Sequence, residues 1–236
     1  MQPSLWDAIA AVERSHWWFL GRREIVAQVL QRRIAAGSRV VDVGCGTGFV
    51  LERLAGQFDV TGLEPDPSVR ARAHASIASR ILPGATNDLS AVQGMRFDAV
   101  LLLDVLEHLD DDDAALRGLH PVLAPGGLLL VMVPANPRLW STHDELNEHR
   151  RRYTAGGLRR ILADGGYSVE HLGFVNSRLY PLARLHRTLS RNTNGALRIP
   201  PSPLNRIFME LFAREAKQGL PRFRRGLSLL ALATRK

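Results

Sequence analysis

Arg39-Val-Val-Asp42-Val-Gly44-Cys-Gly46-Thr-Gly48 begins as a short β-branched run and ends in glycines at alternate positions. An apolar run stopped at once by glycine reads as a buried parallel strand that delivers into a tight turn. Glycines there let the backbone turn sharply and approach a ligand, because no Cβ stands in the way. The spacing is Gly-x-Gly-x-Gly, whereas the dinucleotide fingerprint places its third glycine one position later. Asp42, on the strand beneath the loop, suits a cationic or amine-bearing ligand better than a phosphate.

Outward from this stretch, strand and helix patterns alternate. Residues 47–55 have helical spacing, 58–63 read as a second strand stopped by Glu64-Pro65-Asp66-Pro67, and 68–79 as a helix rich in Ala and Arg. Residues 97–103 are apolar throughout, 111–123 are helical, Pro125-Gly126-Gly127 breaks the pattern, and 128–133 form another strand. This order predicts βαβ units, hence an α/β fold with a parallel sheet covered on both faces. Residues 154–165 read as a helix and 167–175 as a strand. The segment 176–225 is Pro-rich with scattered arginines, and its best helical piece is 204–217. Residues 227–233 read as a last strand, and 5–19 and 23–34 as helices preceding the sheet. Glu64 ends the second strand, where a carboxylate can accept both hydroxyl protons of a ribose.

A chain of 236 residues, against about 100–200 per domain, predicts one domain with elaborations. Apolar residues at 45% and charged residues at 23% exclude a disordered or collagen-like chain. Cys45 is the single cysteine, so no internal disulfide forms, and it reads as a small packing residue in a reducing compartment. The net charge of +8 is unevenly spread: residues 1–150 carry 14 Lys+Arg and 19 Asp+Glu, residues 151–236 carry 17 and 4. The basic part alone therefore bears on partners. The start lacks a basic segment followed by an apolar run, and the apolar stretch 128–135 is short of the roughly 20 residues of a spanning helix, so a cytoplasmic protein is expected.

Taken together, these motifs resemble the class I S-adenosylmethionine-dependent methyltransferases, of the bacterial small-molecule type. Asp42-Val-Gly-Cys-Gly-Thr-Gly48 is similar to the family's first motif and Gly62-Leu-Glu64-Pro-Asp66 to its second. Phe97-Asp-Ala-Val-Leu-Leu-Leu-Asp104-Val-Leu-Glu-His108 resembles its fourth-strand segment, and Leu123-Ala-Pro125-Gly-Gly127 the approach to its fifth. The resemblance covers roughly residues 38–175 and the terminal strand. It implies a Rossmann-like seven-stranded sheet with an antiparallel last strand between the fifth and sixth, and helices on both faces. Asp42, Gly44, Gly46 and Gly48 would bound the methionine part of S-adenosylmethionine, and Glu64 would hold the ribose hydroxyls. Asp88 and Leu89 would sit by the adenine, Asp104 and Val105 near the sulfonium, and Arg22 toward the methionine carboxylate. Residues 1–36 would be an N-terminal helical cover and 37–236 the methyltransferase domain, with 176–226 a basic, lid-like insertion. Trp17 and Trp18 in the cover read as packing, with substrate stacking as the sharper alternative.

Ligands of open parallel sheets bind at the carboxyl ends of the strands, which points the acceptor to the segment after the fifth strand. Similar methyltransferases carry a His-Asp-x-x-Asn-x-His-x-Arg-Arg-Tyr pattern there, matched by His143, Asp144, Asn147, His149, Arg151, Arg152 and Tyr153. We expect His143 or His149 to act as general base for a hydroxyl or amine acceptor, with Asp144 fixing its tautomer. The plainer alternative is that these residues tie the loop to the sheet. His143, Asp144 and His149 lack a strong metal spacing and Asp110 to Asp113 read as a helix cap, so no metal site is expected. His108 is expected to be structural.

The expected function is methyl transfer to a small-molecule acceptor: a natural product, a sugar or a lipid-linked intermediate. Arginines of 176–226 would receive an anionic group on it. An RNA methyltransferase would explain the basic flank. However, no Asn-Pro-Pro-Tyr-like motif or Pro-Cys pair is present, and aromatics for base stacking are few, so nucleic acid is not the expected partner. A non-catalytic binder of the cofactor is the other alternative. Ile207, Phe208, Leu211 and Phe212 near Arg206, Arg214 and Lys217 would suit peripheral membrane contact, or packing on the domain.

Overall fold

In the computed structural model, which describes residues 3–182, 199–217 and 223–236, the decisive stretch forms β1 (Arg39–Val43). It lies parallel between β2 (Asp59–Leu63) and β4 (Phe97–Leu103), with Asp42 opposite Gly62 on one side and Leu101 on the other. With β3 (Ile81–Leu82), β5 (Leu123–Pro134), β6 (Tyr167–Val175) and β7 (Ser228–Arg235), the sheet order is β3-β2-β1-β4-β5-β7-β6. β7 runs antiparallel to both β5 and β6, and the other pairs are parallel. The expected seven-stranded order is therefore present. The chain doubles back between β1 and β4, which opens a crevice at the carboxyl ends of those strands.

Alternation along each strand splits the core in two. Val40, Leu101 and Leu130 face one layer with the helices α2 (Trp17–Arg33) and α3 (Phe49–Leu54). Val41, Val100 and Val131 face the other, with α6 (Asp112–Gly118) and α8 (Ala155–Asp164). Ile25, Val26, Ala27, Val29 and Leu30 of α2 are fully buried, so this helix belongs to the core layer as well as roofing the crevice.

Several elements differ from the expected ones for local reasons. The N-terminal break falls at 13–16, after α1 (Pro3–Val12), because His16 caps α2 by accepting from the Trp18 amide at 3.2 Å. Trp17, Trp18 and Phe19 thus enter the second helix. The expected helix 68–79 is two short ones, α4 (Pro67–Arg70) and α5 (Ala75–Ala78). Asp66 and His74 each cap a new start, offering the backbone an alternative to one continuous ladder. α6 stops at Gly118, and β5 starts at Leu123 instead of 128, since Leu123 already pairs with Phe97 and a register shift absorbs the Pro-Gly-Gly step.

Beyond α7 (Thr142–Leu146), α8 and β6, the helix α9 (Ser202–Lys217) crosses back onto α2. Residues 183–198 and 218–222 of the expected insertion lie outside the described residues. Glu215 anchors α9 by accepting from the Ser177 and Arg178 amides, each at 2.8 Å. Asn205 accepts from the Trp17 amide at 3.0 Å and donates to the Ser15 carbonyl at 2.8 Å. Phe212 is buried and Phe208 packs edge-on against Trp17, whereas Ile207 is 51% exposed. Among the described residues no helix is long and apolar enough to cross a membrane.

α2 and α9 pack closely at Gly21: a Cβ there would stand 2.2 Å from Phe212 Cδ1. Replacing Gly21 by Leu should destabilise the fold by about 1–3 kcal/mol through overpacking. Calorimetric Tm values of Gly21→Leu, Phe212→Ala and the double variant check this. Losses that simply add would refute a shared contact.

Candidate active site

The loop after β1 is built as its glycines require. Gly44 and Gly46 have φ of 80° and 59°, which side-chain-bearing residues rarely adopt, and a Cβ on Gly44 would stand 2.7 Å from Val105 Cγ2. The Gly44 and Cys45 amides donate to the Leu63 carbonyl at 2.8 and 3.1 Å, fastening the loop to β2. Glu64, at the end of β2, accepts from the amides of Gly46 at 3.1 Å and Asp66 at 3.0 Å. Burial raises its carboxyl pKa while those two N–H groups oppose the rise. Cys45 packs under Gly62, and burial, reinforced by the charges of Asp42 and Glu64, pushes its thiol pKa well up, as suits a packing residue and not a nucleophile.

Asp42 is fully buried beneath the loop, and its Oδ1 has no hydrogen-bond partner among the described residues. Burial pushes its carboxyl up to about 7; Arg22 opposes the rise, and Glu64 and Asp104 add to it. An orphaned buried acceptor under a glycine cradle fits an ammonium-bearing ligand such as the methionine part of S-adenosylmethionine. Asp88 is exposed and caps its own turn, accepting from the Ser90 amide and hydroxyl at 3.1 and 2.7 Å. Leu89 is half-buried against the second core layer. Neither residue lies on the wall of the cavity that opens from the loop.

That cavity, about 400 Å³, is bounded by the glycine loop, α1, α2, the end of β4 and the segment after β5. Trp6 lies against Gly46, and the Thr47 hydroxyl donates to the buried Glu13 at 2.8 Å, so the N-terminal helices close over the loop. Trp17 and Trp18 line it too, and the guanidinium of Arg22 stacks on Trp18 at 5.0 Å. Arg22 is bound to Asp104, the residue that leaves β4 with φ of 57°. Arg22, expected toward a methionine carboxylate, thus stands on the cavity wall beside Asp104.

On the acceptor side the central group is Asp144, which has no exposed surface. Its Oδ1 accepts from Arg152 Nε at 2.7 Å and lies 2.9 Å from His149 Nδ1. Its Oδ2 accepts from the Ser141 amide and hydroxyl at 2.9 and 3.2 Å, closing a capping box at the start of α7. Burial works against its charge, but the His149 and Arg152 hydrogen bonds outweigh it and hold the carboxyl well below the usual range. The sequence left open whether Asp144 serves His143 or His149; the structure joins it to His149. With Nδ1–H given to the carboxylate, Nε2 is the acceptor nitrogen of that ring. His143 also lines the cavity, its ring 6.3 Å from that of His149, and the Asn147 side chain donates to its carbonyl at 2.6 Å.

Two residues matter more than the sequence suggested. His108 lines the cavity and meets the His149 ring edge-on at 4.9 Å. Burial and then the neighbouring His149 lower its pKa, which favours the neutral ring. Glu107 is fully buried, and neither carboxylate oxygen has a hydrogen-bond partner among the described residues. Burial, then the charge of Asp104, push its carboxyl pKa well up. Glu107, His108 and His149 each bring one ligand atom within 4.8 Å of the others, a set that could hold a divalent cation. The readable signal was a carboxylate and an imidazole side by side just past an apolar strand. Asp111 caps α6, as expected, and Asp112 anchors Tyr153 and Arg151 at 3.0 and 3.2 Å.

Comparison with known proteins agrees with this architecture. Residues 19–172 match a family model described as Methyltransferase domain. A ubiquinone biosynthesis O-methyltransferase of Xanthomonas axonopodis pv. citri is 36% identical over 133 residues, 53% of this chain and 54% of the relative. That of Xanthomonas oryzae pv. oryzae is 38% identical over 102 residues, 41% and 43% of the two chains. The chain thus spans about half the length of the curated relatives it matches. Among solved structures, a chain from the complex of the Haloferax volcanii Trm112 methyltransferase activator with a methyltransferase superposes with a TM-score of 0.63 at 20% identity, covering 98% of this chain and 97% of that one. The [4+2]-cyclase SpnF superposes with a TM-score of 0.59 at 20% identity, covering 90% and 81%. Likenesses this remote speak for the fold alone. The match over residues 19–172, which takes in the glycine loop and the segment past β5, places the chain in the Methyltransferase domain family, among the class I S-adenosylmethionine-dependent methyltransferases.

Proposed function

We propose that the chain transfers a methyl group from S-adenosylmethionine to a hydroxyl group of a small-molecule acceptor, with His149 taking the acceptor's proton. The observation that carries this reading is the pair of buried Asp144 and half-buried His149 on the wall of the cavity that the glycine loop opens. The curated relatives, named as O-methyltransferases, favour a hydroxyl over an amine as acceptor.

Asp42 would hold the cofactor's ammonium, Gly44, Gly46 and Gly48 its methionine part, and Glu64 its ribose hydroxyls. Asp88 and Leu89 would border the adenine, and Asp104 and Val105 the reacting end, with Arg22 fixing Asp104 and flanking the methionine carboxylate. The bound cofactor supplies an activated methyl on a sulfonium whose departure leaves a neutral thioether. What remains for the protein is to align the acceptor oxygen and remove its proton. Asp144 keeps His149 in one tautomer and stabilises the ring once it is charged. The roof of α1 and α2 suits a small acceptor better than nucleic acid. The intact Asp42, Glu64 and Asp104 favour an enzyme over a non-catalytic binder.

The unpartnered, buried Glu107 favours a second reading of the same wall. A divalent cation held by Glu107, His108 and His149 would lower the pKa of an acceptor hydroxyl, and Asp144 would then orient a ligand, as carboxylates commonly do behind metal-bound histidines. Labelled-methyl transfer from S-adenosylmethionine to hydroxylated metabolites separates the readings. With His149 as base, His149→Ala should cut turnover about 10²–10⁴-fold, His143→Ala much less, and chelation should leave turnover unchanged. Loss of activity on chelation, restored by added Mg²⁺, would select the cation instead.

Calorimetric titration with S-adenosylhomocysteine tests the cofactor site separately. Its affinity should fall as pH drops below about 7, because Asp42 then takes a proton and no longer answers the ammonium. Asp42→Asn should bind weakly at every pH and lose that dependence. Tight, pH-independent binding by the variant would remove Asp42 from the site.

A further inference from the structure

The wall of the active cavity is one backbone layer thick, and it has a second side. Segments 134–136, 152–153 and 226–228 form it: the Tyr153 amide donates to the Pro134 carbonyl at 2.9 Å, Asn136 to Tyr153 at 2.8 Å and Ala135 to Leu227 at 2.9 Å. Pro134, Arg152, Leu227 and Ser228 face the cavity of His149. Their chain neighbours Asn136, Tyr153 and Gly226 line a separate groove of about 760 Å³.

This groove has a consistent chemistry. Arg138, Arg224 and Arg225 line it, and among the described residues no Asp or Glu does. All three arginines are exposed, and none of their guanidiniums has an ion pair or hydrogen bond among the described residues. Elsewhere on this chain arginines are commonly paired, as Arg150 is with Asp110 and Arg151 with Asp112. The turn carrying Arg138 is fixed: Asn136, with φ of 61°, accepts from the Arg138 amide at 3.1 Å and donates to the Tyr180 hydroxyl at 3.5 Å. Trp140, on the same turn, is 41% exposed and presents an indole at the rim. Three cations gathered around one concavity repel each other until an anion joins them, and guanidinium forks match the oxygens of a phosphate bidentately.

We propose that this groove binds a phosphate or pyrophosphate group. Such a phosphate belongs either to a soluble phosphorylated molecule or to the headgroup of a lipid in a bilayer.

The test uses the full chain and inorganic pyrophosphate in low-salt titration calorimetry, on wild type, Arg138→Gln and the double variant Arg224→Gln/Arg225→Gln. Vesicles of phosphatidylglycerol with phosphatidylcholine, and of phosphatidylcholine alone, provide the second arm. Pyrophosphate should bind the wild type in the millimolar range or tighter, and the double variant at least tenfold more weakly. Pyrophosphate binding without vesicle co-sedimentation assigns a soluble phosphorylated ligand. Co-sedimentation with the anionic vesicles, lost in the double variant, assigns a lipid headgroup. Neither ligand binding, or binding that the variants leave unchanged, overturns the proposal. S-adenosylhomocysteine titrations of the same samples keep the two readings apart. If it binds and pyrophosphate does not, the groove assignment fails alone. If pyrophosphate binds and it does not, the methyl-transfer reading fails and the groove stands.

Discussion

A single buried carboxylate organises the functional half of this molecule. Asp144 is sealed from solvent yet ionised, because Ser141, His149 and Arg152 supply four donor groups around its two oxygens. Arg152 in turn donates to the Ala135 carbonyl at 3.1 Å, tying α7 to the end of β5. Removing one partner of such a buried charge costs about 3–5 kcal/mol, since the other is left uncompensated. The orientation of His149, the seat of the turn at Asn136 and the thin wall between cavity and groove all follow from this one network.

The floor of the crevice works in the opposite way. Asp42, Glu64, Asp104 and Glu107 stand close under the cavity, with Arg22 as the charge that answers Asp104. Among the described residues Asp42 and Glu107 keep oxygens without partners, which a protein tolerates where a ligand completes the site. A cofactor carrying an ammonium and a sulfonium has the charge that this floor lacks. The excess of acid in residues 1–150 is therefore partly a property of this floor, and the excess of base in 151–236 in part a property of the wall opposite.

The strands, their order and the glycine loop were legible because their signals are local. β-branched runs, glycine where φ must be positive and acid at strand ends are each set by the residues themselves. The helix at 68–79 misled because the caps Asp66 and His74 compete with a ladder that composition favoured. The break at His16 was missed for the same reason: a histidine cap is a matter of one ring nitrogen's placement, which composition does not carry.

The sequence by itself determined the α/β class, the glycine loop, Glu64 and Asp42 beneath it, and the dense set of titratable residues after β5. Only the tertiary structure decided which of those residues touch. Asp144 stands one residue from His143 and five from His149, yet the turn after α7 delivers the second ring to it. Glu107 and His108 lie some forty residues before His149 and meet it because β4 and β5 end side by side. Arg138 joins Arg224 and Arg225 because β7 slots in beside β5. Chemistry of this kind depends on distances of a few ångströms between groups far apart in the chain, and those distances are set by strand pairing and packing.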